Sequence, residues 1–317
     1  MTLLDDVPRK VRVVEVGPRD GLQNERAVVP LDAKVDFITR LAAAGCPVVE
    51  AGAFVRPDRI PQMADTDALF RRLPRGGRTV FSALVPNRRG MERAAACGVK
   101  EVAVFTAASE TFARKNINMT INESLTAFAE VIAIARPMGC RVRAYVSTAW
   151  WCPYTGRVDP DAVRRVAIPL RDMGCYEISL GDTIGWATPG EVVALLNLLT
   201  RDLTLNTIAV HFHDTRGTAL ANVLAALECG VATMDASAGG LGGCPYAPGA
   251  SGNLATEDLL YMLHGMGIET GIDLDAVGEA SRVVGALLDH PLPSRYLQGV
   301  SRKLPGASRH PGTGSAF

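Results

Sequence analysis

The chain has 317 residues, of which 48% are hydrophobic, and its 33 basic side chains are matched by 33 acidic ones. This length and apolar content can bury a large core, either as one α/β barrel or as two ordinary domains. The balanced charge implies no general electrostatic attraction to nucleic acid or to a membrane surface, so a small-molecule partner is favoured.

Eight short runs of apolar or β-branched residues recur along the chain and predict strands. They are residues 11–16, 48–51, 79–84, 101–105, 141–146, 176–180, 207–212 and 233–236. Longer segments with helical spacing of apolar residues separate them, at 33–44, 124–135, 160–173, 191–200 and 218–228. Glycines suited to a left-handed helix end follow the helical segments at Gly45, Gly98, Gly139, Gly174 and Gly230.

This alternation of strand and helix predicts the architecture. Eight units that end near Leu263 favour a closed parallel (β/α)8 TIM barrel over a doubly wound open sheet, which more often has fewer strands. A further helix is predicted over 275–288, and the segment rich in Gly, Pro and Ser from 301 onward predicts a flexible tail. We therefore expect one catalytic α/β barrel domain with additional C-terminal helices over 1–300, and a tail over 301–317.

The motif His211-Phe212-His213-Asp214 follows the apolar run of the seventh strand. Side chains two residues apart lie on the same face of a strand, so His211 and His213 can hold one metal ion together. Two polar residues at a strand end are an equally ordinary explanation of this motif taken alone.

Further polar residues follow other predicted strands, and in a barrel of this kind the strand ends form the active site. Arg19 and Asp20 follow strand one, Glu50 ends strand two, Ser147 ends strand five and Asp182 ends strand six. A local ion pair, a helix cap or a turn would explain each of them singly. Their convergence on one rim favours an active site.

The loop after the eighth strand, residues 239–253, is rich in glycine and contains Cys244. A flexible connector and a phosphate-binding loop are alternatives, since glycine lets the backbone approach phosphates closely. However, the loop lacks the Gly-Lys-Ser/Thr ending of a nucleotide loop. A cysteine in such a loop could be carried onto a substrate when the loop closes.

The cysteines and the N-terminus predict the compartment. Seven cysteines without a Cys-x-x-Cys pair suit a reducing environment. Asp5 and Asp6 stand where a secretory leader would carry basic residues, and no uninterrupted apolar run approaches the roughly 20 residues of a membrane span. We expect a soluble cytoplasmic protein with no membrane partner.

Several blocks of this sequence resemble the 3-hydroxy-3-methylglutaryl-CoA lyases. Residues 14–25, Val-Glu-Val-Gly-Pro-Arg-Asp-Gly-Leu-Gln-Asn-Glu, resemble the opening motif of that family at every position. Similar blocks occur at 114–118, 176–185, 211–213, 242–246 and 252–258. The resemblance implies the same barrel and a metal-dependent cleavage of 3-hydroxy-3-methylglutaryl-CoA to acetyl-CoA and acetoacetate. It also implies an acyl-CoA partner and leaves a homodimer possible.

The resemblance further implies a set of metal ligands, namely Asp20, His211, His213 and Asn253. Such a mixed oxygen and nitrogen set suits magnesium or manganese, with positions left open for substrate oxygens, and zinc or cobalt could also fit. The closed set of four cysteine and histidine ligands typical of structural zinc is absent from the sequence.

The remaining roles also come from the resemblance. Arg19 would stabilise the enolate oxygen with its permanent charge. His211 would be the base, with Asp182 as an alternative proton handler, and Cys244 would deliver a proton to the enolate carbon. Supporting or substrate-positioning roles fall to Gln23, Glu50 and Glu257.

Two segments depart from the family pattern, because Trp150 and Trp151 precede Cys152 and Trp186 follows the sixth strand, where smaller residues are expected. Surface packing would explain these tryptophans as well as a reshaped acyl pocket would. They leave open a lyase of the same family that acts on a longer-branched 3-hydroxyglutaryl-CoA.

Two more alternatives belong to other classes. An acyl-CoA condensing enzyme, such as an isopropylmalate or citramalate synthase, shares the His-x-His barrel but usually lacks the cysteine loop and carries an added regulatory domain. An inactive barrel kept as a ligand-binding scaffold would be expected to have lost a metal ligand or Cys244, and the sequence retains them all.

Overall fold

The computed structural model describes residues 7–242 and 252–300. Its strands are β1 (Arg12–Glu15), β2 (Val48–Ala53), β3 (Val80–Leu84), β4 (Glu101–Ala107), β5 (Arg141–Ser147), β6 (Trp151–Cys152), β7 (Gly156–Arg157), β8 (Glu177–Asp182), β9 (Ile208–Phe212) and β10 (Thr233–Ala236). Eight of them form a closed parallel barrel in the order β1, β10, β9, β8, β5, β4, β3, β2. The short strands β6 and β7 form an antiparallel pair outside the barrel.

Helices surround the barrel and follow most of its strands. They are α1 (Leu31–Ala43), α2 (Thr66–Arg72), α3 (Arg88–Ala96), α4 (Glu110–Ile117), α5 (Ile121–Ala135), α6 (Pro160–Met173), α7 (Pro189–Leu199), α8 (Ala219–Glu228), α9 (Thr256–Gly265), α10 (Leu274–Gly285) and α11 (Arg295–Val300). Among the described residues, no helix combines the length and the apolar character needed to cross a bilayer.

The predicted TIM barrel with additional C-terminal helices is confirmed, and each predicted strand corresponds to a barrel strand. The five glycines expected at helix ends all have positive φ, between 61° and 107°, a region that glycine adopts without steric cost. One boundary is corrected: the second strand continues through an irregular pairing with β3 to Ala53, so Glu50 lies within this strand and does not end it. The predicted tail from 301 lies outside the described residues.

The strand alternation divides apolar from charged side chains. Outward residues such as Val142 and Val146 of β5 are buried in the large core between strands and helices. The inward positions include a small apolar cluster of Val14, Val16 and Val48. TIM barrels usually fill this interior with branched apolar residues. Here a large part of it is charged.

The charged interior forms a continuous chain of ion pairs. Arg12 and Arg143 both bond to Glu177, the latter through Nε at 2.5 Å. Both terminal nitrogens of Arg143 also donate to the carboxylate of Asp235, at 2.7 and 3.1 Å. Because each of these charges has an opposite partner, the interior avoids the cost of an isolated buried ion. The chain leads from the amino end of the barrel toward the carboxyl end.

Candidate active site

The turn after β1 aims two charged side chains at the barrel mouth. The backbone N–H groups of Arg19, Asp20 and Gly21 all donate to the carbonyl of Val16, within one π-helical turn over Gly17–Gly21. A Cβ on Gly21 would lie 2.7 Å from the Leu241 side chain, so only glycine fits there. The opening motif therefore encodes a tight turn that packs against the loop following β10.

Arg19 is held by two carboxylates. Its Nε donates to Glu50 Oε2 and its Nη1 donates to Asp20 Oδ1, both at 2.5 Å. The guanidinium also lies 5.6 Å from the centre of the Tyr145 ring. Burial alone would lower the pKa of Arg19, but the charges of Glu50 and Asp20 outweigh burial and raise it. Arg19 is therefore a fixed positive charge at the mouth of the barrel.

Asp20, His211 and His213 form a group able to hold a metal ion, because one ligand atom of each lies within 4.8 Å of the others. Burial would raise the pKa of Asp20, but the charges of Arg19 and the histidines outweigh it and lower the pKa to about 2. Burial, with the charge of His211, lowers the pKa of His213 to about 4. Near neutral pH the group therefore offers an ionised carboxylate and a neutral imidazole, the forms that bind metals.

Asn253 follows the glycine-rich loop after β10 and joins this group through an antiparallel bridge to His213. Its Nδ2 donates to Asp20 Oδ2 at 2.9 Å and to the Leu241 carbonyl at 3.0 Å, which turns its Oδ1 the other way. Asn253 Oδ1 and His213 Nδ1 are both buried without a hydrogen-bond partner. Two such acceptors beside an ionised carboxylate fit a bound cation, because each would otherwise carry an uncompensated desolvation cost.

His211 has one ring nitrogen engaged. Its Nδ1 lies 3.3 Å from Oδ2 of Asp235, a residue within β10 whose carboxylate is buried. Burial would lower the pKa of His211, but the hydrogen bond and the charge of Asp235 outweigh it and raise the pKa. The pattern of polar residues at strand ends does not predict Asp235, because it lies within β10. The signal for Asp235 in the sequence is an acidic residue within a short, otherwise largely apolar strand.

A cavity of about 250 Å³ opens beside these groups. Its lining includes Arg19, Asp20, Gln23, Asn116, Tyr145, His211 and His213 together with the apolar side chains of Leu84, Phe105 and Phe112. Gln23 Oε1 is buried there without a partner, which suits a contact to a ligand. Asn116 and Tyr145 were not predicted as site residues, although Asn116 lies in the block 114–118 and Tyr145 faces inward from β5.

Asp182 is not brought into the cavity lining. It is the last residue of β8, and Ser179 and Gly181 face the barrel interior, so the carboxylate of Asp182 lies on the opposite side of the strand. Its oxygens accept the N–H groups of Trp186 and Ala187 at 3.1 and 3.0 Å. Burial raises the pKa of Asp182 to about 6 despite these bonds. These contacts hold the turn after β8.

Glu257 is likewise removed from the metal group. It lies in α9, fully buried, where its carboxylate accepts the N–H of Gly239 at 3.0 Å and the hydroxyl of Ser281. Burial raises its pKa in spite of these bonds. Glu257 therefore supports the first residues of the loop after β10. Cys244, the cysteine of that loop, lies outside the described residues.

The three tryptophans that depart from the family pattern pack beside α7. Trp150 donates to the Glu191 carbonyl at 3.2 Å, and the tilted rings of Trp151 and Trp186 lie with their centres 5.9 Å apart. Arg216 lies 3.8 Å above the Trp186 ring. None of the three is among the described residues that line the cavity. Their position favours surface and interlayer packing over a reshaped acyl pocket.

Comparison with known proteins gives consistent matches. The HMGL-like family model matches residues 10–284. A hydroxymethylglutaryl-CoA lyase of Pseudomonas mevalonii is 54% identical over 88% of this chain and 92% of its own length. The crystal structure of the lyase of Pseudomonas aeruginosa superposes with a TM-score of 0.91 at 47% identity, covering 93% of this chain and 99% of that one. A lyase of Acinetobacter baumannii, solved with coenzyme A and 3-methylmalate, gives 0.88 at 37% identity over 96% and 98% of the two chains.

Proposed function

The chain belongs to the HMGL-like family, and we propose a division of roles by which its residues cleave 3-hydroxy-3-methylglutaryl-CoA to acetyl-CoA and acetoacetate. It is a carbon–carbon lyase of the hydroxymethylglutaryl-CoA lyase type. In this reaction the hydroxyl proton leaves, the bond between the carbinol carbon and the thioester α-carbon breaks, and the electron pair passes to a thioester enolate. A proton added to the α-carbon then completes acetyl-CoA.

Asp20, His211, His213 and Asn253 would hold the divalent cation. The unpartnered atoms His213 Nδ1 and Asn253 Oδ1, beside the ionised Asp20, support this assignment. Oxygen and imidazole ligands suit magnesium or manganese. Such a cation, when bound, acidifies a coordinated hydroxyl and fixes its orientation.

His211 would take the hydroxyl proton at Nε2, since its Nδ1 faces Asp235. One lone pair serves one partner at a time, so His211 would leave the cation to Asp20, His213 and Asn253 when it takes the proton. Arg19 would stabilise the enolate oxygen, because its guanidinium is permanently charged and lines the cavity. Glu50 supports that role by holding the guanidinium in place.

Cys244 would deliver the proton to the enolate carbon. The assignment comes from its position in the glycine-rich loop and from the family resemblance. Cys244→Ser should keep cation binding and thermal stability but lose most turnover, since general acid catalysis contributes about 10²–10⁴-fold. Cys229→Ser, at the end of α8, is the matched control. A destabilised Cys244→Ser variant with normal turnover per folded molecule would contradict the role.

Gln23 would position the substrate through its unpartnered Oε1. Glu257 would support the loop after β10 through Gly239. To Asp182 we assign the role of holding the turn of residues 182–187, because two backbone N–H groups keep its carboxylate away from the cavity. Proton handling by Asp182 stays an untested prediction.

One observation carries the proposal: the Arg19 guanidinium, the ionised carboxylate of Asp20 and the two histidines line one cavity. Three buried atoms without protein partners, Gln23 Oε1, His213 Nδ1 and Asn253 Oδ1, lie in this lining or on the residue that bonds Asp20. Buried polar atoms normally have partners. Three unsatisfied acceptors at and beside one cavity are therefore expected where a metal cation and a polar ligand bind.

The test is a coupled assay for acetoacetate after chelation and after magnesium or manganese is restored, beside a panel of longer-branched thioesters. We expect cation-dependent cleavage of 3-hydroxy-3-methylglutaryl-CoA, unchanged in Trp186→Ala. A strong preference for a longer branch would identify the other lyase. Condensation of acetyl-CoA with a 2-oxo acid would identify a synthase, and binding without turnover would identify an inactive scaffold.

A further inference from the structure

We propose that Asp235 is a positioning residue that keeps the proton of His211 on Nδ1 and leaves the Nε2 lone pair facing the cavity. The inference rests on the proposed function, since both roles assigned to His211, cation ligand and base, use that lone pair. A histidine with the opposite tautomer would present an N–H to the site and could do neither.

The pairing of neighbouring strands places the two side chains together. In the register between β10 and β9, Asp235 lies directly opposite His211, and both face the barrel interior. Asp235 Oδ2 is 3.3 Å from His211 Nδ1. Because the strands themselves fix this distance, the imidazole ring is oriented by the barrel and not by a mobile loop.

The surroundings of Asp235 leave it only the role of acceptor. Arg143 donates to Oδ1 at 2.7 Å and to Oδ2 at 3.1 Å, and Ser179 Oγ donates to Oδ2 at 2.9 Å. All three contacts come from donors, and the permanent positive charge of the Arg143 guanidinium on both oxygens favours the ionised carboxylate. A carboxylate that carries no proton can bond to His211 only if Nδ1 is the protonated nitrogen.

Arg143 also makes the arrangement sensitive to a change of one atom. In Asp235→Asn the amide oxygen should take the place of Oδ1, against the closer nitrogen of Arg143. The amide NH₂ then takes the place of Oδ2, where the longer bond from Arg143 Nη1 is lost and where Ser179 Oγ and His211 Nδ1 can accept. Donation to Nδ1 moves the ring proton to Nε2. The variant keeps the side-chain volume, so a change in His211 can be separated from a packing defect.

The decisive measurement is the tautomer of His211 in the metal-free protein. Long-range ¹H–¹⁵N correlation of the imidazoles, at about pH 9 and thus well above the ordinary histidine pKa of about 6.5, reports which nitrogen carries the proton. The chain has five histidines, so His211→Gln assigns the signal by its loss. Glu101→Gln is the matched control, because Glu101 of β4 is also a buried carboxylate that accepts a hydrogen bond from an arginine, Arg141 of β5.

We expect the Nδ1–H form of His211 in the wild type and in Glu101→Gln, and the Nε2–H form in Asp235→Asn. The manganese affinity of Asp235→Asn should be about 10–100-fold weaker than that of the wild type, the range typical of groups that orient metal ligands. An Nε2–H form in the wild type, or an Nδ1–H form with unchanged manganese affinity in Asp235→Asn, would overturn the inference. If the proposed metal site is wrong, His211→Gln will bind manganese as tightly as the wild type does. The tautomer of His211 in the wild type still reports on Asp235 in that case.

Discussion

The two ends of the barrel use similar polar side chains in opposite ways. At the amino end the charges are paired with one another, in the pairs Arg12–Glu177 and Arg141–Glu101. At the carboxyl end three of the five buried side-chain atoms without a partner, in the described part of the chain, lie together on Gln23, His213 and Asn253. The other two, on Tyr176 and Asn222, are isolated from one another.

The contrast separates stability from function by a physical criterion. A buried polar atom without a partner costs about 1–3 kcal/mol, so a cluster of three is expected only where a ligand repays the cost. Fully paired charges at the other end satisfy one another and need no ligand. Substitutions at the amino end should therefore change stability, and substitutions at the carboxyl end should change cation affinity and turnover.

The largest effect is expected from His213→Ala at the carboxyl end. Removing a direct ligand should weaken manganese or magnesium binding by more than about 100-fold, the upper range for groups that merely orient ligands, and abolish measurable turnover. Calorimetric titration with the cation and the acetoacetate assay measure both. His264→Ala, on the exposed surface of α9, is the control and should change neither. Unchanged cation affinity in His213→Ala would remove His213 from the site.

Arg19→Lys is expected to have the next largest effect. A lysine ammonium cannot bond Glu50 and Asp20 and also present a planar donor array to an enolate, so turnover should fall by about 10²–10³-fold, as for the loss of one oxyanion donor. The variant should fold and bind the cation. Arg12→Lys makes the same exchange at the amino end and should leave turnover near normal. Normal turnover in Arg19→Lys would reduce Arg19 to a structural turn residue.

Much of this fold could be predicted because its signals are local. Short apolar runs, helical periodicity and terminal glycines each depend on neighbours in sequence, and together they predicted the barrel and the capping glycines. The histidine pair was found in the same way, since two residues on one face of a strand need no tertiary information.

The rest of the site depends on contacts between distant segments. Asp235 and Arg143 belong to strands that are not neighbours in the barrel, and only closure of the barrel brings them together. Asp182 ends a strand, which predicts a place on the rim, yet the alternation with Ser179 and Gly181 turns its side chain toward the helices. Applying the period of two to β8 would have separated it from the cavity.

Glu15 tests whether pairing or location decides the role of a carboxylate. It lies near the carboxyl end but is fully partnered, with bonds from the N–H groups of Gly17 and Ala238 and from the hydroxyl of Thr256. Burial raises its pKa from 4.5 to about 7. The folded protein therefore binds this proton more tightly than the unfolded chain, and the contribution to stability is present below about pH 4.5 and lost as the pH rises through about 7.

Glu15→Gln should remove the loss of stability at rising pH, because a glutamine does not ionise. Its amide oxygen can accept both N–H groups and its NH₂ can donate to Thr256. Denaturant unfolding of both proteins from about pH 4.5 to 7.5 should show a stability difference that changes by on the order of 3 kcal/mol in favour of the variant. Turnover should be nearly unchanged. Parallel pH profiles for the two proteins would contradict the raised pKa, and a large loss of turnover would show that location outweighs pairing.

The smallest effect is expected from Glu101→Gln at the amino end. Glu101 is buried, but its partner Arg141 has a half-exposed side chain that water can solvate, and a glutamine oxygen can still accept its hydrogen bond. The free energy of unfolding should therefore fall by only about 1–2 kcal/mol, the difference between a charged and a neutral hydrogen bond. Cation affinity and turnover should match the wild type, because no step of the proposed reaction uses this end. A loss of turnover without a loss of stability would mean that a change in the ion pairs of the interior alters the active site. The division between the two ends would then fail.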